Sequence, residues 1–152
     1  GHKYAAGLKI KKSNLDIFKN QFETIVKDSV SHKMFSRSFP YDLLIDFSKL
    51  TIENVKIIQR IAPFGLGNKR PVFRTNNCFI DSKLKFLGKD QQIVKSIIKD
   101  KYGTKLSFIC FDKKSDLVGL KSPFDILYNV NLNTFSGKET IELTIRELFI
   151  KK

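Results

Sequence analysis

The 152 residues carry 28 Lys and Arg against 15 Asp and Glu, a formal net charge of +13, and 41% of them are hydrophobic. That apolar content excludes a disordered chain, the length allows one ordinary core or two small ones, and no run of about 18 apolar residues offers a membrane span. So large a positive excess favours polyanions, with nucleic acid the first candidate and an acidic membrane surface the second.

No basic head, apolar stretch and small-residue cleavage site marks a signal peptide, so a soluble, cytoplasmic protein is expected. Cys78 and Cys110 lie inside apolar strand-like runs, far from any CxxC or Cys/His spacing, and are expected as buried free thiols. His2 and His32 are the only histidines, which excludes a histidine-rich metal site within this chain.

In chain order, GHKYAAGLKI starts abruptly without Met, and the chain is expected to be a fragment of a longer protein. Leu8 and Ile10 alternate with Lys9 and Lys11 as in a half-exposed strand. Ser13, with Asp16 three residues on, is placed to cap a helix. Along that helix Leu15, Phe18, Phe22, Ile25 and Val26 form a core-facing stripe, with Lys19 and Lys27 towards solvent. SVSHKMFSRSFPYD loses the period and reads as a loop holding a solvated His32, after which DLLIDF reads as a short strand. Thr51 caps a second helix, with Glu53 in its first turn and Ile52, Val55, Ile58 and Ile61 as its stripe.

The stretch RIAPFGLGNKRPVF, residues 60–73, is where helical spacing gives way to the two-residue period of strands, and it reads as a domain joint. Pro63 ends the preceding helix and Gly65 and Gly67 supply the freedom for a tight turn. Beyond it, VFRTNNCFI and SKLKFL suggest one long bent strand, Gly88, Lys89 and Asp90 a hairpin turn, and QQIVKSIIKD and TKLSFICF the next two strands. DKKSDLVGLKS is polar and too short for a proper helix, so it is a connector. DILYNVNLN puts Ile126, Tyr128, Val130 and Leu132 on one side and Asn129, Asn131 and Asn133 on the other. TIELTIREL points Ile141, Leu143 and Ile145 inward and Glu142, Thr144 and Arg146 outward. Five strands with a bent first one match a small closed barrel of the oligonucleotide-binding (OB) kind.

From Pro63 onward 17 Lys and Arg stand against 9 Asp and Glu, a net +8. Lys85, Lys89, Lys95 and Lys105 come from the first strand, the first turn and the second and third strands, the usual nucleic-acid face of such a barrel. Binding single strands without sequence choice takes cations for phosphates and aromatic faces for bases. Phe86, Phe111, Tyr128 and Phe135 are the stacking candidates, each also readable as core packing. Phe135, beside Gly137 in the last hairpin turn, is the one best placed for exposure, and Tyr128 the worst.

Particular motifs carry a family resemblance. GHKYAAGL resembles the end of the glycine–glycine–histidine motif of a DHHA1 domain, and APFGLGN followed by PVF resembles the joint into the barrel of the RecJ family of single-strand-specific 5′ to 3′ exonucleases. LGKDQQIVKSIIKD and NTFSGKETIELTIREL resemble the second-strand region and last hairpin of that barrel, so the likeness covers nearly the whole chain. Lys69 and Arg70 stand where the family often has a proline and an acidic residue, which makes this joint more basic.

The resemblance implies an α+β chain, with the tail of a DHHA1 α/β domain and a linker helix over residues 1–62 and a five-stranded OB barrel over 63–152. It implies a full-length hydrolase that degrades single-stranded DNA in repair and recombination, with Mn or Mg held by aspartates and histidines of a preceding DHH domain. It places His2 and the Gly1 backbone near a nucleotide phosphate. The chain itself has no DHH triplet and no His paired with Asp at ligand spacing, so no metal site and no activity are expected of it alone. Single-stranded DNA is the implied partner, with other repair proteins beside it. The alternatives are a noncatalytic single-strand-binding or protein-docking module, or part of a DHH phosphodiesterase acting on dinucleotides.

Overall fold

The computed structural model describes residues 5–29, 38–112, 114–120 and 123–150. Gly1, His2, His32 and most of the loop around residues 30–37 lie outside them. Two compact units are present, residues 1–39 and 40–152.

In the first unit a 3₁₀ turn, Lys12–Asn14, leads into helix α1, Leu15–Ser29. Ser13 is not its cap: it sits inside the 3₁₀ turn and its hydroxyl donates to Asn14 Oδ1. The expected strand around Leu8 and Ile10 is absent among the described residues, and both side chains are exposed. The stripe of α1 also differs from expectation. Helical spacing puts its apolar residues on one face, yet no residue of α1 is buried, and Leu15, Phe22 and Ile25 are exposed. Periodicity states which residues share a face, while burial needs a surface to cover that face.

The second unit contains strand β1 (Leu43–Leu44), a 3₁₀ turn (Phe47–Lys49), helix α2 (Ile52–Gln59) and strands β2 (Phe73–Ile80), β3 (Lys85–Leu87), β4 (Ile93–Lys99) and β5 (Lys105–Phe111). A helical turn α3 (Lys114–Leu117) and the long hairpin β6 (Phe124–Phe135) and β7 (Lys138–Ile150) complete it. Residues 40–62, read from sequence as the end of the first part, therefore pack with the strands. Thr51 Oγ1 accepts from the Asn54 N–H and caps α2 as expected. Val55 is fully buried and Ile58 packs against the core, but Ile52 and Ile61, at the two ends of the stripe, remain exposed.

The strands form one mixed seven-stranded sheet in the order β1-β2-β6-β7-β5-β4-β3, and a further antiparallel pairing joins β2 to β4. That pairing links the two ends of the run β2-β6-β7-β5-β4. Five strands were expected and seven are present among the described residues, for two reasons. The long bent first strand breaks at residues 81–84 into β2 and β3, and the short DLLIDF strand, expected before the joint, pairs in parallel with the start of β2. The connector after β5 holds one helical turn, which seats Leu117 in the core.

The core lies inside the run of strands. Val94, Ile98, Phe108, Cys110, Ile126 and Leu143, the inward residues of alternating strands, are fully buried, each contributing roughly 1.5–3 kcal/mol. Tyr128 is central, with Phe47 and Phe73 each 6.0 Å from its ring and its hydroxyl 2.8 Å from Thr75 Oγ1. The most buried acid is Asp100, whose carboxylate accepts from the backbone N–H groups of Tyr102, Thr104 and Phe47 at 3.0 Å each. It closes the β4–β5 hairpin and pins the Phe47 turn onto the strands. Both cysteines are buried, and neither forms a disulfide. Burial, then the Asp100 and Asp125 carboxylates, pushes the Cys78 thiol up, so it stays protonated at neutral pH. No described helix is long and apolar enough to cross a membrane.

Candidate nucleic-acid interface

Strand alternation sends Lys95 and Lys105 outward, because the even residues of β4 and β5 fill the core. Lys85 and Lys95 are directly opposed across β3 and β4, and with Lys83, Ser82 and Ser96 they line a shallow recess of about 440 Å³. Lys89 is in the turn between these strands. Lys105 is opposed to Lys99, four residues along β4 from Lys95, or roughly 13 Å. Lys85, Lys95 and Lys105 are thus strung along one face, with Lys89 in the turn at its end.

Two of the four are held by carboxylates. Lys95 Nζ lies 2.9 Å from Glu142 Oε2, contributed by β7. Asp81, just after β2, accepts from Lys105 at 2.7 Å and Lys99 at 3.0 Å. Hydrogen bonds from Lys105 and then Lys99 hold the Asp81 carboxyl below the usual carboxylate range. Alternation showed the direction of these lysines; their acids, from distant parts of the chain, left no sign in the local pattern. Among the stacking candidates Tyr128 is core and Phe86 packs against it, whereas Phe111 is exposed and Phe135, at the tip of the β6–β7 hairpin, is 79% exposed.

A second basic region lies beside the joint. The Gly65–Asn68 turn is closed in both directions, N–H of Gly65 to O of Asn68 at 2.8 Å and N–H of Asn68 to O of Gly65 at 3.2 Å. Gly67 at its third position has φ +84, the left-handed geometry a type II turn demands there, whereas Gly65, also expected to need a glycine's freedom, does not have a left-handed φ. The Asn68 side-chain amide donates to the carbonyls of Ile61 and Pro63, at 2.8 and 2.9 Å, and ties the turn to the end of α2. Leu66 at the tip is fully exposed.

Between this turn, residues 40–42 and the outer face of β6–β7 is a cleft of about 830 Å³, lined by Tyr41, Asp42, Phe64, Lys69, Arg70 and Arg146 among others. The Arg70 guanidinium donates to Asn131 Oδ1 and sits 5.1 Å from the centre of the Phe64 ring. Arg146 donates to Asn129 Oδ1 at 3.3 Å. The two amides are in turn held: Asn129 Nδ2 donates to the Pro71 carbonyl at 2.6 Å and Asn131 Nδ2 to Thr144 Oγ1 at 2.9 Å. A bulge re-aims Arg146, since Leu127 pairs with Glu147 and Tyr128 with Ile145, leaving Arg146 as the extra residue on β7. The sequence signals for this region were the basic pair in the joint and the Asn side of β6; what was missing was their convergence.

Among the described residues no group of three or more His, Cys, Asp or Glu side chains could hold a metal ion.

The model of the family described as RecJ OB domain matches residues 41–147. Single-stranded-DNA-specific exonuclease RecJ of Bacillus subtilis (strain 168) is 21% identical over 154 residues, covering 100% of this chain and 19% of that protein. Among solved structures, RecJ from Thermus thermophilus in complex with Mn2+ matches with a TM-score of 0.71 at 19% identity, over 100% of this chain and 22% of that one. The complex of the same protein with Mg2+ gives 0.64 at 17% identity, over 94% and 21%. The chain spans about a fifth of the length of these relatives, and at such identities the structural likeness speaks for the fold alone.

Proposed function

The chain belongs to the RecJ OB domain family, and from that premise we propose that it is the DNA-holding C-terminal part of a cytoplasmic, RecJ-like 5′ to 3′ exonuclease specific for single-stranded DNA, acting in repair and recombination. The observation that carries this reading is the family match across residues 41–147, and the β2–β4 pairing supports it by joining β2, β6, β7, β5 and β4 into a circuit we read as a five-stranded OB barrel. In this reading the residues before about 40 are the tail of a DHHA1-like domain, and Gly1 and His2 approach a phosphate. On the barrel, Lys85, Lys89, Lys95 and Lys105 bind phosphates and Phe135 offers a stacking face.

Mn or Mg bound in the full enzyme would supply a hydrolytic nucleophile. The described residues do not fit such ions, so catalysis belongs to a DHH domain outside this chain, and the chain's own task is to bind and orient the strand. Labelled homopolymer single strands and matching duplexes, titrated with the 152-residue chain at several salt concentrations, test this. Tighter binding of single strands is expected, with an affinity that falls with salt at a log–log slope of roughly 3 for four phosphate contacts. Equal binding of duplex, or no binding, overturns the reading. Incubation of the strands with the chain and Mn or Mg should leave their length unchanged; chelator-sensitive shortening overturns the assignment of catalysis elsewhere.

One observation favours a second reading, a protein-docking module. Ile97 and Phe111 are 40% and 47% exposed on the lysine-bearing strands, where two ion pairs already use part of the charge.

A further inference from the structure

We propose that the cleft beside the joint is a nucleotide subsite, in which one phosphodiester of a single strand lies against Arg70, Arg146 and Lys69 and its base against Phe64. The proposal rests on the DNA-holding reading above and locates its tightest contact away from the four lysines.

The argument begins with how the cations are held. A guanidinium has five N–H donors and presents two at a time to a phosphate. Arg70 and Arg146 are oriented by Asn131 and Asn129, whose amide oxygens are neutral, so each arginine is positioned without losing its charge. Neither arginine, nor Lys69, forms an ion pair among the described residues, in contrast to Lys95, Lys99, Lys105 and Arg74. A cation fixed in advance loses less side-chain entropy on binding an anion.

The acid in the cleft is already engaged. Asp42 is the one carboxylate among the described lining residues, and its Oδ2 accepts from the Val72 N–H at 2.8 Å. Three cations therefore face a single carboxylate, which leaves the cleft a formal net charge of +2. Phe64 is half-buried, with Arg70 over its ring, an arrangement that supports stacking of a flat base beside a cation. The volume of about 830 Å³ lies within the roughly 300–1,000 Å³ of small-ligand sites. The Gly67 turn, tied down by Asn68, fixes one wall and the bulge at Arg146 another.

The test compares the wild-type 152-residue chain with Lys69→Gln/Arg70→Gln/Arg146→Gln, in which each Gln keeps a donor. Homopolymer single strands are titrated at several salt concentrations, with thermal melts to verify folding. Loss of the three cations that hold one phosphodiester should lower affinity about tenfold and flatten the log–log salt slope by about 0.7. Phe64→Leu, which keeps apolar volume and deletes the ring, should cost about tenfold, and this variant with Arg146→Gln carries the test if the triple variant melts early. Competition with thymidine monophosphate and inorganic phosphate separates a nucleotide from an anion alone, the nucleotide being expected to displace the strand at lower concentration. Equal displacement, or an inert Phe64→Leu, overturns the nucleotide subsite. Wild-type binding that survives the triple substitution overturns the subsite and leaves the DNA-holding reading standing. Failure of the wild type to bind any strand removes both.

Discussion

The lysine face on β3–β5 and the cleft beside the joint are both basic, yet they hold their cations in opposite ways. On the face, Lys95 lies on Glu142, and Lys99 and Lys105 share Asp81. In the cleft, Arg70 and Arg146 rest on the amide oxygens of Asn131 and Asn129. A carboxylate that orients a cation also cancels its field, whereas an amide orients it and leaves the charge for a ligand. The number of cations on a face is therefore a poor guide to its attraction for a polyanion.

The sharpest way to break this comparison is to give the cleft the chemistry of the face. Asn129→Asp with Asn131→Asp keeps the size of both side chains and the acceptors for both guanidinia, gives up the amide donors to Pro71 and Thr144, and pairs each arginine with a negative charge, with thermal melts to verify folding. If the cleft carries the strand, affinity should fall roughly tenfold at moderate salt, the equivalent of the one phosphate contact the cleft supplies. Titration of labelled single strands measures it, and unchanged affinity moves the binding site to the lysines.

Two glycines sharpen the comparison further. Gly67 and Gly103 have φ +84 and +88, and a Cβ at either would meet nothing within 4 Å. Alanine at each should therefore cost about 1 kcal/mol of stability from backbone strain alone. Gly67 lies in the joint turn that carries the Phe64 wall, and Gly103 in the β4–β5 hairpin next to Lys105. Equal melting shifts are expected, with loss of single-strand affinity only in Gly67→Ala. Affinity lost in Gly103→Ala instead favours the lysine face.

The contrast between these regions also marks how far the sequence could be read. Strand periodicity placed the alternating residues of β4–β7 correctly, because each inward position answers to one core, and the turn at Gly67 was legible because only a residue without Cβ adopts that φ freely. The family resemblance rested on local motifs such as APFGLGN, and the RecJ OB match over residues 41–147 agrees with it. What stayed hidden was non-local. Lys95 and Glu142 are 47 residues apart, Arg70 and Asn131 are 61 apart, and the bulge that re-aims Arg146 arises from pairing with another strand. The stripe of α1 was legible as a stripe, but what covers a stripe is not written in its spacing.

The reverse conversion should have a smaller effect. Asp81→Asn with Glu142→Gln frees Lys95, Lys99 and Lys105 on the face without touching the cleft. If the cleft dominates, single-strand affinity should rise less than about threefold, well short of the gain for three new phosphate contacts. A gain above tenfold in the same titration shows that the lysine face was the main site, restrained by its own acids.

The smallest effect expected is one of pH, and it asks whether Lys99 and Lys105 are truly neutralised. Lys105 and Lys99 hold the Asp81 carboxyl below its ordinary range, so folding favours its charged form. The stability this provides is fully present above the unfolded-state pKa of about 3.9 and is lost as pH falls through the lower folded value, where Asp81 takes a proton. Asp81→Asn cannot show that loss. The difference in melting temperature between wild type and Asp81→Asn should hold level from neutral pH down to about pH 5 and shrink only below about pH 4. A difference of zero at every pH would mean that the pairs at Asp81 hold nothing in solution. Lys99 and Lys105 would then be as available to a phosphate as Arg70, and the distinction between the two regions would rest on Glu142 and Lys95 alone.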